Sequence, residues 1–191
     1  MKRRQLLVGL FGVAVVATGV TSWAIHSYSA VPPDSKAPSP AKQNLQDANT
    51  LLQAGILQQE HHDFEGADRT YRRVLELDPQ NKFAWYNLGV IAHEDDRVAD
   101  ARAAYDKALK IDPAFPSALF NEALLLESSD PDRAGGLLKR VIAGNPKAAT
   151  AHLRLGRIWA QKNRDDKAAD EFRRAVAADP SLRSQVPEEF R

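Results

Sequence analysis

A dipeptide of Asp or Asn followed by proline recurs through most of the chain at a nearly constant interval. It stands at Asp78-Pro79, Asp112-Pro113, Asn145-Pro146 and Asp179-Pro180, with spacings of 34, 33 and 34 residues. Proline lacks a backbone N–H and disfavours helix in the residue before it, so each dipeptide predicts the end of a helix. A period of this length is typical of solenoids built from repeated helical units.

Small and large residues recur in register with these prolines. Gly or Ala occupies the eighth and the twentieth positions of each unit, and a larger side chain follows four residues later. Small residues allow two helices to cross closely, and the larger residue fills the space beside the crossing. Each unit is therefore predicted to be an antiparallel helix pair. The three sets are Gly55, Gly89, Ala123 and Gly156; Ala67, Ala101, Ala134 and Ala168; and Tyr71, Tyr105, Leu138 and Phe172.

The second unit has the fullest pattern, Trp85-Tyr86-Asn87-Leu88-Gly89 followed by Ala101, Tyr105, Ala108 and Pro113. This series resembles the tetratricopeptide repeat, in which Trp-x2-Leu-Gly-x2-Tyr precedes Ala-x3-Phe and then Pro. The resemblance implies an all-α fold, an α-solenoid of four antiparallel helix pairs. The predicted domain is 47–182, with units at 48–81, 82–115, 116–148 and 149–182 and a short C-terminal tail at 183–191.

The third unit departs from the pattern. Glu122 stands where the second and fourth units have leucine, and Gly135 and Gly136 lie inside the predicted second helix. Each glycine costs a helix about 1 kcal/mol relative to alanine. Asp130-Pro131 still predicts a helix start, because Asp accepts hydrogen bonds at the N-cap and proline suits the first helical position. We expect this unit to be the least stable.

Residues 1–30 are predicted to be a membrane anchor or a signal segment. Leu6 to Ile25 carries no charge and follows the basic Lys2, Arg3 and Arg4. As a helix it would be about 30 Å long, which matches the hydrocarbon core of a bilayer. This length favours a retained transmembrane anchor, whereas Ser27-Tyr28-Ser29 offers a cleavage site for a signal peptide. The charges predict a cytoplasmic N-terminus and an extracytoplasmic repeat domain.

Residues 31–46 are predicted to be a linker. The segment contains Pro32, Pro33, Pro38 and Pro40 and has no apolar periodicity. Proline-rich segments of this kind favour extended polyproline II conformation. We expect the linker to hold the repeats away from the bilayer.

Composition and motifs argue against several classes of function. The net charge is +1 and charges of both signs alternate along the repeats, so no nucleic-acid partner is expected. There is no cysteine, which excludes disulfides and thiolate metal sites. No phosphate-binding loop, nucleophile motif or zinc-protease motif occurs, so neither enzymatic activity nor a cofactor is predicted. The two histidine-containing acidic segments, 61–63 and 93–96, fit turns between helices better than a metal site.

In the tetratricopeptide family the first helices line a groove that binds other polypeptides. Carried over by position, this resemblance implies an apolar floor of aromatic residues and two asparagines that could bond a peptide backbone. Two arginines on the fourth unit could attract a carboxylate, although a solvated charged face accounts for them better. The predicted groove residues are Phe83, Tyr86, Asn87, Val90, Phe120, Asn121, Leu124, Arg154 and Arg157.

The sequence thus predicts an interaction adaptor. It resembles the small single-span repeat proteins of bacterial envelopes, with a groove that binds a peptide or helix during envelope or secreted-protein assembly. The alternative is a secreted, soluble or self-associating repeat protein that results from signal cleavage. Only Ser181 to Arg191 follows the last repeat proline, so we expect the outer side of the fourth unit to be poorly covered, which would favour a homo-oligomer.

Overall fold

The computed structural model describes residues 39–191, which form eight α-helices followed by two short 3-10 helices. Consecutive α-helices pack as pairs, and each second helix also packs on the first helix of the next pair. No β-strand occurs within residues 39–191, and the predicted all-α solenoid of helix pairs is confirmed. The α-helices are α1 (Pro40–Glu60), α2 (Phe64–Leu77), α3 (Lys82–Glu94), α4 (Val98–Ile111), α5 (Pro116–Leu126), α6 (Pro131–Gly144), α7 (Ala149–Gln161) and α8 (Asp165–Ala178).

Three of the helix pairs cross at a glycine that faces a buried aromatic ring. The rings are at most 1% exposed, and a Cβ added to any of these glycines would overlap its ring. The predicted pairing of a small residue with a large one is therefore confirmed in these units. The distances from an added Cβ to the nearest ring atom are 2.6 Å for Gly55 and Tyr71, 2.5 Å for Gly89 and Tyr105, and 2.7 Å for Gly156 and Phe172.

The turns inside the helix pairs have a common backbone conformation in three units. His62, Asp96 and Asn163 adopt left-handed φ values of 61°, 56° and 54°. In the first unit Asp63 then caps α2 by accepting a hydrogen bond of 2.9 Å from the Gly66 amide. The segment 61–63 therefore lies at a turn as predicted, and the segment 93–96 covers the last two residues of α3 and the turn that follows.

The third unit begins its second helix as predicted and buries an unusual side chain. Asp130 accepts a hydrogen bond of 3.1 Å from the Arg133 amide, which caps α6. Glu122 on α5 is fully buried and pairs with the guanidinium of Arg133, which also lies 2.8 Å from Asp106 on α4. Desolvation raises the pKa of the Glu122 carboxyl, and its Oε2 atom has no hydrogen-bond partner among residues 39–191.

Both ends of the repeat domain differ from the expectation. Helix α1 begins at Pro40, so the predicted extended linker is wrong for its last residues. The reason is that proline is well suited to the first turn of a helix, and no helix-breaking residue follows it. Residues 31–38 of the linker and the segment 1–30 lie outside the described residues.

The tail is also more ordered than expected. It forms 3-10 helices at Pro180–Gln185 and Glu188–Phe190, and its Leu182 and Val186 are 5% and 2% exposed against the fourth unit. The expectation of a poorly covered outer face is therefore wrong, because two apolar residues of a short tail suffice to pack beside Phe172. None of the helices between residues 39 and 191 has both the length and the apolar character needed to cross a bilayer.

Candidate peptide-binding groove

The groove is defined here as the face formed by the first helices α1, α3, α5 and α7. Side chains on this face join neighbouring first helices directly, from α3 to α5 and from α5 to α7. The nine predicted groove residues all lie on α3, α5 and α7. Phe83 is 46% exposed and the other eight are partly buried. A mixed apolar and polar face of this kind can contact both the side chains and the backbone of a bound segment.

An aromatic cluster forms the floor of the groove between α3 and α5. The Tyr86 ring packs edge to face on Phe115 at 5.2 Å between centroids, and Phe83 packs on Phe115 at 5.5 Å. Asn121 on α5 donates a hydrogen bond of 3.0 Å to the Tyr86 hydroxyl. Burial raises the pKa of Tyr86, so the hydroxyl stays protonated at neutral pH.

The two predicted asparagines therefore differ in what they do. Asn121 is engaged with Tyr86 and holds the aromatic floor, whereas the Asn87 side chain has no hydrogen bond to any residue between 39 and 191. A side-chain amide offers both donors and an acceptor, so Asn87 is the one with capacity for a peptide backbone. Its role in binding remains a prediction.

The arginines at the other end of the groove are also engaged. Arg154 lies 3.0 Å from a carboxylate oxygen of Glu127, which places an ion pair between α7 and α5. Arg157 donates a hydrogen bond of 3.2 Å to the carbonyl oxygen of Gln185 in the tail. The two arginines thus connect structural elements, and neither is simply a solvated charge.

Two buried tyrosines behind the groove differ in how their hydroxyls are satisfied. Tyr71 donates a hydrogen bond of 3.0 Å to Gln59, and burial raises its pKa to about 12. The Tyr105 hydroxyl is buried without a partner in the part of the chain that the structure describes. The residue in the place of Gln59 is His93, whose ring lies 6.5 Å from the Tyr105 ring. Burial raises the pKa of Tyr105 far above its ordinary value.

A pocket of about 370 Å³ lies between the first two units. The sequence predicts none of its carboxylates as groove residues, since Glu94 falls in a segment that fits a turn between helices. Glu60 and Glu94 are the last residues of α1 and α3 and are exposed. The negative end of a helix dipole disfavours a carboxylate there by roughly 0.3–1 kcal/mol. The pocket is lined by Ile56, Gln59, Glu60, His62, Phe64, Asn87 and Glu94.

No group of three or more potential metal ligands is found among residues 39–191.

Comparison with known families identifies the repeat to which the four helix pairs belong. A model described as "Tetratricopeptide repeat" matches residues 52–116 and 124–182, which is more than half of the chain. The chain belongs to the tetratricopeptide repeat family. The two matched stretches include parts of all four helix pairs, so the family resemblance inferred from the sequence is confirmed.

The curated relatives of this tetratricopeptide repeat protein are much longer than the regions matched. "Protein O-mannosyl-transferase Tmtc3" of Drosophila melanogaster is 34% identical over 110 residues, which cover 56% of this chain and 12% of that protein. "Cellulose synthase operon protein C" of Pseudomonas fluorescens is 33% identical over 79 residues, which cover 41% of this chain and 6% of that protein. The chain thus spans only a small part of the length of these relatives.

Solved structures support the fold. A crystal structure of MamA matches with a TM-score of 0.65 and 21% identity, over 75% of this chain and 87% of that one. Pseudomonas aeruginosa pilF matches with a TM-score of 0.67 and 21% identity, over 78% and 68%. PilW, described as a widely conserved type IV pilus biogenesis factor, matches with a TM-score of 0.64 and 22% identity, over 72% and 64%. At these identities the likeness concerns the tetratricopeptide fold alone.

Proposed function

We propose that this tetratricopeptide repeat protein is a non-catalytic adaptor whose groove binds an extended or helical segment of another protein. Tetratricopeptide domains in general mediate protein–protein interaction, which sets the class of function. The observation that carries the proposal is the state of the groove between α1 and α3. There the amide of Asn87, which has no hydrogen-bond partner between residues 39 and 191, lines a pocket together with the exposed carboxylates of Glu60 and Glu94.

The apolar and polar groups in this region suit a peptide. Phe83 and Val90 offer apolar contact, and Asn87 offers hydrogen bonds to a backbone that has lost its water. Leu124 and Phe120 continue the apolar surface on α5. Because these residues follow one face across two adjacent units, a bound segment would run across the first helices from α3 to α5.

We also propose that residues 1–30 attach the chain to a membrane and that the repeats lie on the extracytoplasmic side. The uncharged stretch from Leu6 to Ile25 after three basic residues supports this arrangement. The likeness to PilW, a pilus biogenesis factor, is consistent with a role in envelope assembly. A reporter fused after Arg191 should be active outside the cytoplasm, and activity confined to the cytoplasm would contradict the proposed topology.

Photo-crosslinking tests the groove. A photoreactive amino acid at Val90 on α3 should capture a partner in intact membranes, and the same group at the exposed Arg102 on α4 should not. Asn87→Ala in the Val90 variant should reduce capture while helicity is unchanged, because the amide makes no hydrogen bond that residues 39–191 would lose. Equal capture from both positions would rule against the groove.

Self-association is the second candidate function. Leu45 and Leu57 on α1 are 51% and 55% exposed, so the first end of the repeat domain presents apolar side chains. The other end is covered by Leu182 and Val186. Sedimentation of the full-length protein in detergent tests this function: a concentration-dependent dimer that Leu45→Ser and Leu57→Ser abolish would support it, and a monomer at every concentration would contradict it.

A further inference from the structure

The pocket between α1, α2 and α3 combines charge with apolar surface. Glu60 and Glu94 supply two carboxylates, and the partly buried Ile56 and Phe64 supply an apolar wall. Neither carboxylate has an ion pair with any residue in the range 39–191. The last turn of α1 has no basic residue, and that of α3 has only His93. The pocket therefore holds negative charge that the described chain does not neutralise.

The groups around these carboxylates do not supply a cation to neutralise them either. Gln59 accepts the hydrogen bond of Tyr71, and Asn87 is a neutral amide. The His62 ring packs edge to face on Phe64 at 5.7 Å. Arg97, the N-cap residue of α4, is engaged by Asp95 and Asp100 at 3.0 and 3.1 Å. Burial is the main cause of the raised pKa values of Tyr71 and Tyr105 behind the groove, and the charges of Glu60 and Glu94, respectively, add to it.

The other half of the groove shows which side chain such a carboxylate binds. Glu127 lies at the same end of its helix, one position earlier in its unit, and binds the guanidinium of Arg154 from the next first helix. At the position of Arg154, the second and third units have Asn87 and Asn121. Glu60 therefore shares its pocket with the neutral amide of Asn87, whereas Glu127 pairs with a cation at the equivalent position.

We propose that this pocket binds a lysine or arginine side chain of the partner segment, flanked in that segment by an apolar residue. The inference rests on the proposed function of the groove. Long basic side chains bury their methylene stems on apolar surface while the charged end reaches a carboxylate, and Ile56 and Phe64 provide that surface. The partner's cation would take the place that Arg154 has beside Glu127. The binding segment is thus a basic, partly apolar peptide.

Peptide binding to the full-length protein in detergent tests this proposal. The probes are fluorescein-labelled peptides that share a Leu/Ala framework and carry lysine, glutamate or glutamine at the same positions, measured by fluorescence anisotropy at low ionic strength. The protein should bind the lysine peptide most tightly. Glu60→Gln with Glu94→Gln should weaken that binding about five- to tenfold, because each exposed ion pair contributes modestly. Added salt should reduce the difference.

The matched control is Glu76→Gln with Glu189→Gln, which removes the same net charge from exposed sites outside the pocket. This pair should leave the affinity within a factor of about two. Equal weakening by both pairs, or equal affinity for the lysine and glutamate peptides, would overturn the proposal. Asn87→Trp, which puts a large side chain in the groove, distinguishes a failure of this proposal from a failure of the proposed function. If that variant weakens all three peptides while the unchanged protein binds them with equal affinity, groove binding stands and the charge preference falls; if it weakens none, the groove itself is not the binding site.

Discussion

The two halves of the repeat domain use their polar side chains differently. In the third and fourth units, Asn121, Arg154 and Arg157 bond neighbouring elements, and Glu122 is buried against Arg133. In the first two units, Glu60, Asn87 and Glu94 have no such bonds to residues 39–191. Similar residues on the same scaffold thus stabilise the fold in one half and stay available for a partner in the other. The capacity of such a groove for a partner therefore depends on which polar groups the fold leaves without hydrogen bonds or ion pairs.

The largest expected effect is in the third unit, where the Glu122–Arg133 pair can be broken. Arg133→Ala should lower the free energy of unfolding by about 3 kcal/mol, because it leaves a buried carboxylate without its cation. Urea unfolding followed by circular dichroism measures this loss. Glu122→Leu restores the residue that the second and fourth units have, and in combination with Arg133→Ala it should recover most of the stability. Failure to recover would mean that Arg133 acts mainly through Asp106.

The same carboxyl should make stability depend on pH. Its pKa is raised above the ordinary value of 4.5 in the folded protein, so the folded state binds the proton more tightly than the unfolded state. The contribution of this group is therefore greatest below pH 4.5 and is lost as the pH rises through the folded-state pKa. The free energy of unfolding of Glu122→Gln should fall less over this pH range than that of the unchanged protein. Identical pH profiles would exclude Glu122 as the source.

The two asparagines provide the most direct test of the comparison. Asn121→Ala should lower the free energy of unfolding by about 1 kcal/mol, since it removes the hydrogen bond to Tyr86. Asn87→Ala should leave stability within about 0.5 kcal/mol, as expected for a surface change, and should instead reduce partner capture by crosslinking. Equal losses of stability in the two variants would show that the two halves do not differ as described.

Gly136 allows the third unit to be stabilised. It lies inside α6, and an added Cβ would have no heavy atom within 4 Å. Gly136→Ala should therefore raise the free energy of unfolding by about 0.5–1 kcal/mol, the difference in helix propensity. Gly89→Ala is the contrasting control, because its Cβ would overlap Tyr105 and should destabilise the second unit. A destabilised Gly136→Ala would mean that this glycine serves another purpose.

Local sequence signals predicted the helix pairs well because they are repeated and short in range. The Asp-Pro and Asn-Pro dipeptides at the unit boundaries follow the ends of helices, and Gly55 and Tyr71 meet through one fixed helix crossing. The hydrogen bond from Asn121 to Tyr86 could not be predicted, nor that Asn87 has no such bond within residues 39–191. The two asparagines have equivalent positions in their units and differ only in neighbours that are far apart in sequence. The proposed role of Glu60 and Glu94 could not be predicted for a related reason. A carboxylate at a helix end is expected to be solvated, and only the structure shows that Glu127 has a cation, Arg154, where Glu60 has none.

The smallest expected effect concerns the ion pair in the fourth unit. Arg154→Gln removes a half-exposed pair with Glu127, so the free energy of unfolding should fall by no more than about 1 kcal/mol. If Glu60 and Glu94 bind a basic segment, Glu127 released from Arg154 should join them and strengthen binding of the lysine peptide about two- to threefold. Arg164→Gln, which removes an exposed cation at the start of α8 and outside the groove, is the control and should leave affinity unchanged. Weaker binding in Arg154→Gln would show that Arg154 itself contacts the peptide, so that the two halves of the groove share the task of binding.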